Sequence, residues 1–332
     1  AAQLLGLSVR QVRRVLARWR SQGDRGLTHA SRGRSPGNKL DAQLRERAVE
    51  LIRTQLGDYG PTLAAEVLAE LDPRLQLSRE TVRRLMIEEK LWIAHAGSGH
   101  RQRRERRECF GEMLQMDTSD HDWFEGRGEA AVLIASIDDA TGRVLGRFYG
   151  GDTTLANMDL LARWIGAHGR PVVLYVDWAS HFRQPRRRGQ RRGRQTHTQI
   201  ERALGELRIE MINADSPQAK GRIERLFKTL QDRLVKALRR RAICTIAEAN
   251  RYLDEEFLPQ FNARFAKPAA LAADAHRPAH GLDLAAILSV QQTRRVGNDL
   301  TIHFGGQVYQ IEQAPQGNRL VGQRIMVEER RD

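Results

Sequence analysis

The sequence predicts a multidomain α/β chain: a mixed five-stranded sheet with flanking helices, two helical units before it and a small β-barrel after it. Three observations predict this. Residues 1–92 carry apolar positions three and four residues apart, interrupted by Gly, Pro and Ser. Residues 110–236 carry short apolar runs, first as a hairpin and then alternating with stretches of helical spacing. Residues 290–330 switch to period two. The chain has 332 residues and is 40% hydrophobic, enough for two or three packed domains.

Residues 1–27 read as a helix-turn-helix whose first helix is cut short at Ala1. Ala1–Leu5 is apolar, Gly6-Leu-Ser8 is a tight turn with Ser8 as N-cap, and Val9–Ser21 is a second helix. Val12, Val15, Leu16 and Trp19 share its inner side, while Arg10, Gln11, Arg13 and Arg14 face outward, as on a recognition helix in a major groove. A solvated basic helix of a small bundle is the plainer alternative. Residues 28–39 are a Gly/Pro/Ser-rich linker, in which Arg32 and Arg34 could follow a DNA backbone. Residues 40–96 repeat the theme. Leu44, Ala48, Leu51 and Ile52 mark one helix, and Leu63–Leu71 a second. Ser78 caps a third, with Val82, Leu85 and Met86 inward and Arg79, Arg83 and Arg84 outward. Tandem units of this kind suit duplex DNA; protein–protein contact is the competing use. Residues 97–108 form a basic, apolar-free linker suited to phosphates.

Residues 109–240 are expected to form the central domain. Ala131–Ile137 is a strand, Asp138–Gly142 a hairpin turn and Arg143–Tyr149 the returning strand. Leu155–His168 is helical, Val172–Val176 a buried strand, and Ile200, Leu204 and Leu207 mark a helix before the short strand Ile209–Ile212. Residues 241–288 are expected to be a helical tail, with Thr245–Phe257 as one helix. Residues 289–332 form the barrel, with Gly305-Gly306 between two of its strands. The barrel's candidate roles are DNA binding, stabilisation and oligomerisation.

The net charge is +14, which calls for a polyanionic partner. Nucleic acid comes before membrane, because no run of 18 apolar residues exists and no signal peptide is seen. Cys109 and Cys244 have no partners at metal-ligand spacing, and the chain reads as intracellular and cytoplasmic.

Two strand-terminal aspartates and one helical glutamate stand out. Asp117 ends the run Met113-Leu-Gln-Met, and Asp177 ends Val172-Val-Leu-Tyr-Val. Glu224 lies off the apolar face Ile223, Leu226, Phe227, Leu230 and Leu234 of a helix that follows a Pro/Gly loop. Such a trio could hold two Mg2+ or Mn2+ ions, hard cations that prefer oxygen ligands, for an in-line displacement at phosphorus. Lys220, Arg222, Arg225 and Lys228 surround Glu224 and could hold phosphates. Taken singly, each acid has a duller reading: a turn Asp at a strand end, or a Glu224–Lys228 ion pair worth a few tenths of a kcal/mol. Asp120, Asp122, Glu125, Asp138 and Asp139 compete as ligands. Asp138 and Asp139 are better explained by the hairpin turn, which leaves Asp122 as the rival.

Leu114-Gln-Met-Asp117, Tyr175-Val-Asp177 and Ser216-Pro-Gln-Ala-Lys-Gly-Arg-Ile-Glu224 resemble, in order, the three acidic motifs of the DDE transposase and retroviral-integrase core. Asn213–Leu234, together with His121-Asp-Trp-Phe-Glu-Gly-Arg-Gly128, is similar to ISNCY-type bacterial insertion-sequence transposases. Asn262-Ala-Arg-Phe resembles the tail motif that follows such cores. The resemblance spans nearly the whole chain. It implies an RNase H-like fold, binding of transposon ends, metal-dependent 3′-end cleavage and strand transfer, and a homo-oligomer that cuts two ends together. It assigns Asp117, Asp177 and Glu224 as catalytic metal ligands. The Arg-rich stretch Arg183–Gln195 and Trp178 depart from the pattern. A catalytically inactive DNA-binding regulator is the alternative function. A ribonuclease on the same fold is a third, disfavoured by the paired helix-turn-helix units.

Overall fold

The computed structural model describes residues 1–28, 32, 40–93, 105–177, 198–213, 221–312 and 317–331, in two compact units, Ala1–Gly99 and His100–Asp332. Most of the linkers at 28–39 and 97–108, the segment Arg183–Gln195, Trp178 and Lys220 lie outside the described residues.

In the first unit, Ser8 caps helix α1 (Val9–Gln22) by accepting from Gln11 N at 3.2 Å. The run expected as a preceding helix, Ala1–Leu5, is instead a turn, closed by Leu5 N donating to Ala1 O at 3.0 Å. Gly6, at a φ of 62°, turns the chain before α1. No residue of α1 is buried, and Leu16 and Trp19 are 43% and 46% exposed. The expected inward face is therefore not sealed: α1 packs chiefly on its own following turn, Gly23–Leu27. Helices α2 (Ala42–Gln55), α3 (Pro61–Leu71) and α4 (Arg79–Glu88) do close a core around Ile52, Leu56, Tyr59, Leu68, Leu75, Val82 and Met86. Their starts follow from local chemistry: Asp41 accepts from Gln43 N and Leu44 N, Pro61 stands where no N–H is needed, and Ser78 accepts from Thr81 N.

The second unit is built on one sheet with strand order β3-β2-β1-β4-β5. Its members are β1 (Met113–Asp120), β2 (Val132–Asp138), β3 (Val144–Tyr149), β4 (Val173–Val176) and β5 (Glu210–Asn213). β1–β3 form an antiparallel meander, and β4 and β5 join β1 in parallel, each reached through a helix. The crossovers carry α5 (Thr154–His168) and α6 (Gln199–Glu206). This is the expected mixed five-stranded, RNase H-like sheet. The turn at Asp138–Gly142 forms as expected, with Gly142 at a φ of 73° donating to Asp138 O.

Alternation along the strands separates two cores. Leu114, Met116, Ile134, Leu174 and Val176 face α5 and α6. Leu133, Ala135, Ile137 and Phe148 face α7 (Gly221–Arg240) and the tail helices α8 (Ile246–Tyr252) and α9 (Leu258–Phe265). A π-helical turn, Leu253–Phe257, joins α8 to α9, where Pro259 has no N–H to continue regular bonding. The sequence expected helix through this whole tail. Beyond Phe265, however, residues 266–283 are irregular and run along the sheet unit, bridging Asp274 to Phe110 and Arg277 to Arg170.

At the C-terminus, β6 (Val290–Arg295) pairs with β9 (Arg324–Glu329), and β7 (Thr301–Phe304) with β8 (Gln307–Gln310). Gly305 and Gly306, at φ of 57° and 77°, form the two-residue turn between β7 and β8. Among the described residues these are two separate two-stranded sheets where the sequence predicts a barrel. No helix among the described residues is long and apolar enough to cross a membrane.

Candidate active site

Register brings the two aspartates side by side. β1 and β4 run parallel with Met113 opposite Val173 and Gln115 opposite Tyr175. Continued two residues past the paired segment, this register would bring Asp117 level with Asp177, the residue after β4. The period of two puts both on the face of Gln115 and Tyr175, away from the core residues Met116 and Val176. Neighbouring strands are about 4.8 Å apart. Asp177 follows the last residue of β4 as expected, but Asp117, expected at a strand end, lies inside β1, which continues to Asp120. Both are half-buried, and Asp117 accepts from the Thr118 backbone N–H at 3.0 Å.

Glu224 comes from above that face. Ile223, Leu226, Phe227, Leu230 and Leu234 form the buried stripe of α7, and Glu224 stands on its flank, exposed, in the first turn. A carboxylate there is favoured by the helix dipole. Seven residues on and nearly eclipsed with it, Gln231 donates from Nε2 to Ser119 Oγ of β1 at 3.1 Å. Glu224's flank of α7 is therefore the flank turned toward β1, two residues past Asp117.

Two carboxylates at adjacent register positions are hard oxygen donors, a set that fits Mg2+ or Mn2+ and not a thiolate-seeking ion. Yet among the described residues no group of three or more His, Cys, Asp and Glu is drawn together as a metal-holding cluster. Asp117 and Asp177 share a face of the sheet, and Glu224 lies on the flank of α7 turned to that face, without a three-carboxylate cage among the described residues. Like charges hold such a cage open unless a cation offsets them.

Four of the rival acids, Asp122, Glu125, Asp138 and Asp139, have structural employment. Asp122 accepts from Gly126 N at 3.0 Å, and Glu125 receives Arg239 through two bonds of 2.6 and 2.8 Å. Asp138 is fully buried and accepts from Thr141 N and Oγ1 and from Gly111 N. Burial nonetheless pushes its carboxyl above the usual range. Asp139, also fully buried, accepts from Gln115 Nε2, Arg107 N and Arg222 Nε, each at 2.8 Å.

That last bond corrects one expectation. The sequence groups Arg222 with the phosphate-holding cations, but its side chain is only 15% exposed and is paired with Asp139. A sequence gives no sign of a pair 83 residues apart. Arg225 and Lys228 are exposed on α7, and Lys220 lies outside the described residues. In the first unit Arg10, Gln11, Arg13, Arg14, Arg79 and Arg84 are exposed. Arg83 and Arg84 lean on Glu80 at 3.2 and 3.5 Å.

A family model described as a homeodomain-like domain matches residues 11–86, spanning both helical units and the linker between them. A Sinorhizobium fredii protein named transposase y4bF is 41% identical over 332 residues, covering 98% of this chain and 71% of its own length. The Streptococcus pneumoniae transposase for insertion sequence IS1202 is 28% identical over 81% of this chain and 64% of its own length. Among solved structures, a simian T-cell lymphotropic virus intasome in complex with a PP2A regulatory subunit aligns over 68% of this chain and 78% of that chain. Its identity is 14% and its TM-score 0.37. The HTLV-2 integrase catalytic core domain with magnesium aligns over 44% and 85%, at 13% identity and a TM-score of 0.34. With 98% of this chain matched at 41% identity to a relative of which the match covers 71%, the chain belongs to the transposase family.

Proposed function

We propose that the chain is a DDE-type polynucleotidyl transferase that binds the ends of a mobile element, cleaves them to free 3′-hydroxyls and joins those to target DNA. The observation that supports the reading is the parallel pairing of β1 with β4, whose register, continued by two residues, would set Asp117 beside Asp177 on the face crossed by α7. Asp117, Asp177 and Glu224 are the residues that would hold Mg2+ or Mn2+, in a pair of ions. When bound, the metal supplies Lewis-acid stabilisation at phosphorus and an acidified attacking hydroxyl. The chain's own residues do the rest. Glu224 approaches from α7 as DNA enters. Arg225 and Lys228 on the same helix offset phosphate charge beside the carboxylates. Arg10, Gln11, Arg13 and Arg14 of α1, with Arg79, Arg83 and Arg84 of α4, read and hold duplex DNA. Attack by water nicks and attack by a 3′-hydroxyl joins, so no side-chain nucleophile is required. Two ends must be cut together, which calls for a homo-oligomer on DNA.

A supercoiled plasmid incubated with the chain and Mg2+ or Mn2+ tests this, alongside a gel-shift with a duplex probe. Asp117→Asn and Asp177→Asn should each lower nicking by at least about a hundredfold, a scale typical for loss of one preorganised charge-stabilising group, while leaving the gel-shift unchanged. Wild-type nicking rates in either variant would refute the assignment. One observation favours a second reading, a DNA-binding regulator with a silent core: no three-donor metal group forms among the described residues. That reading expects duplex binding with no cation-dependent nicking in the wild-type chain.

A further inference from the structure

We propose that Asp139 and Arg222 are positioning residues: their buried ion pair sets the rotation of α7 and thereby presents Glu224 to Asp117 and Asp177. The inference rests on the transferase reading above and assigns a role to two residues outside its metal-holding trio.

The argument starts from helix geometry. At ~100° per residue, Arg222 and Glu224 fall about 160–200° apart around α7, one on each flank of the buried stripe that begins at Ile223. The Arg222 flank faces the β2–β3 turn, where Nε donates to Asp139 Oδ1 at 2.8 Å. The Glu224 flank faces β1, as the Gln231–Ser119 bond shows. Greasy stripes tolerate small rotations, because apolar packing has no directional bond. A guanidinium bonded to a buried carboxylate does not tolerate them. Rolling α7 so as to lift Glu224 off the sheet would pull Arg222 from Asp139 and leave a fully buried charge without its cation.

The anchor is itself held. Gln115 Nε2 and the Arg107 backbone N–H also donate to Asp139, each at 2.8 Å. Gln115 is 1% exposed and lies on β1 two residues before Asp117, on the same face. One hydrogen-bonded chain, Gln115–Asp139–Arg222, thus ties the strand that carries Asp117 to the first turn of the helix that carries Glu224. Arg222 immediately follows Gly221, the first residue of α7, so this bond acts at the point where the helix begins.

The full chain is assayed as wild type, Asp139→Asn, Arg222→Lys, Arg222→Met and the double variant Asp139→Asn/Arg222→Met. The readouts are plasmid nicking at varied Mg2+, thermal unfolding, and amide hydrogen exchange across 223–226. Asp139→Asn and Arg222→Met should each lower kcat about tenfold or more, leave KM for plasmid within about twofold, raise the Mg2+ needed for half-maximal rate and speed exchange in the first turns of α7. Arg222→Lys should restore part of kcat. The double variant, which leaves no unpaired buried charge, should regain thermal stability without regaining kcat. A double variant that recovers wild-type kcat makes the pair merely structural and overturns the proposal, as do single variants with unchanged kcat and Mg2+ requirement. If the wild-type chain nicks with no cation, the transferase reading fails by itself. Hydrogen exchange then decides the anchor, and unchanged protection in Asp139→Asn overturns it.

Discussion

Gly128 closes the motif that begins at His121, and its smallness has a local cause: a Cβ there would fall 1.9 Å from the Cys244 carbonyl oxygen. Next to it, Arg127 donates to Ile243 O at 3.2 Å, so the motif is a seam between the end of β1 and the end of α7. Another residue-scale device sits on the opposite face. Trp164 donates from Nε1 to His276 Nε2 at 3.1 Å, and His276 Nδ1 lies 2.6 Å from Asp274 Oδ1, which fixes the imidazole's orientation. His168 packs edge-on against Trp164, with ring centres 4.8 Å apart, and against Phe110. Burial first, then Arg143 and His276, hold the His168 pKa below its usual 6.5. The sign follows by linkage. The unfolded chain takes up a proton near pH 6.5 that the folded chain resists, so this contribution to stability is complete above pH 6.5 and is lost as pH falls below it. Thermal unfolding compared at pH 7.5 and 5.5 should show a larger drop for wild type than for His168→Gln. Equal drops would remove His168 as the cause.

The edge strand shows how the elements are held. Among the described residues, β3 has β2 on one side and no strand on the other. Its outer groups are taken by two side chains from the tail. Asn250 of α8 accepts from Phe148 N at 2.7 Å and donates to Phe148 O at 2.9 Å; Asn262 of α9 does the same for Val144, at 2.8 Å each. Two amides thus imitate a sixth strand and close an edge that could otherwise recruit another chain. This gives a physical reason for the Asn262 motif, which the sequence offered only as a resemblance. Asn250 is 6% exposed, so Asn250→Ala leaves two strand groups desolvated and unmet. At about 1–3 kcal/mol for each such group, it should cost roughly 2–6 kcal/mol in denaturant unfolding. The less buried Asn262→Ala should cost less. A loss under about 1 kcal/mol at Asn250 would mean that water replaces the amide.

Across the whole molecule, what the sequence announced was what repeats locally. The five strands, the Asp138–Gly142 turn, the caps Ser8 and Ser78 and the Gly305-Gly306 hairpin all depend on neighbours a few residues away, and all form. The irregular path of 266–283, the Arg222–Asp139 pair and the asparagine edge depend on partners far along the chain, and periodicity carries no record of those. Charge is legible in sum but not in use. The chain carries +14, yet many arginines are bonded to acids, among them Arg45 to Glu88 and Glu89, Arg239 to Glu125 and Arg241 to Glu256. Such pairs already cancel in the sum, so net charge does not say which cations can meet phosphates. Those on the exposed faces of α1, α4 and α7 are the candidates: Arg10, Arg13, Arg14, Arg79, Arg225 and Lys228. Exposed pairs such as Arg83 and Arg84 with Glu80 are weak enough to be exchanged for a phosphate. If about six cations meet duplex phosphates, log K should fall with log salt at a slope of about −5. Fluorescence anisotropy of a labelled duplex between 50 and 200 mM salt, ranges over which such slopes are read, measures it. Arg10→Ala with Arg14→Ala should flatten the slope by about 2. An unchanged slope in that double variant would take α1 off the DNA and leave its basic face as solvated surface.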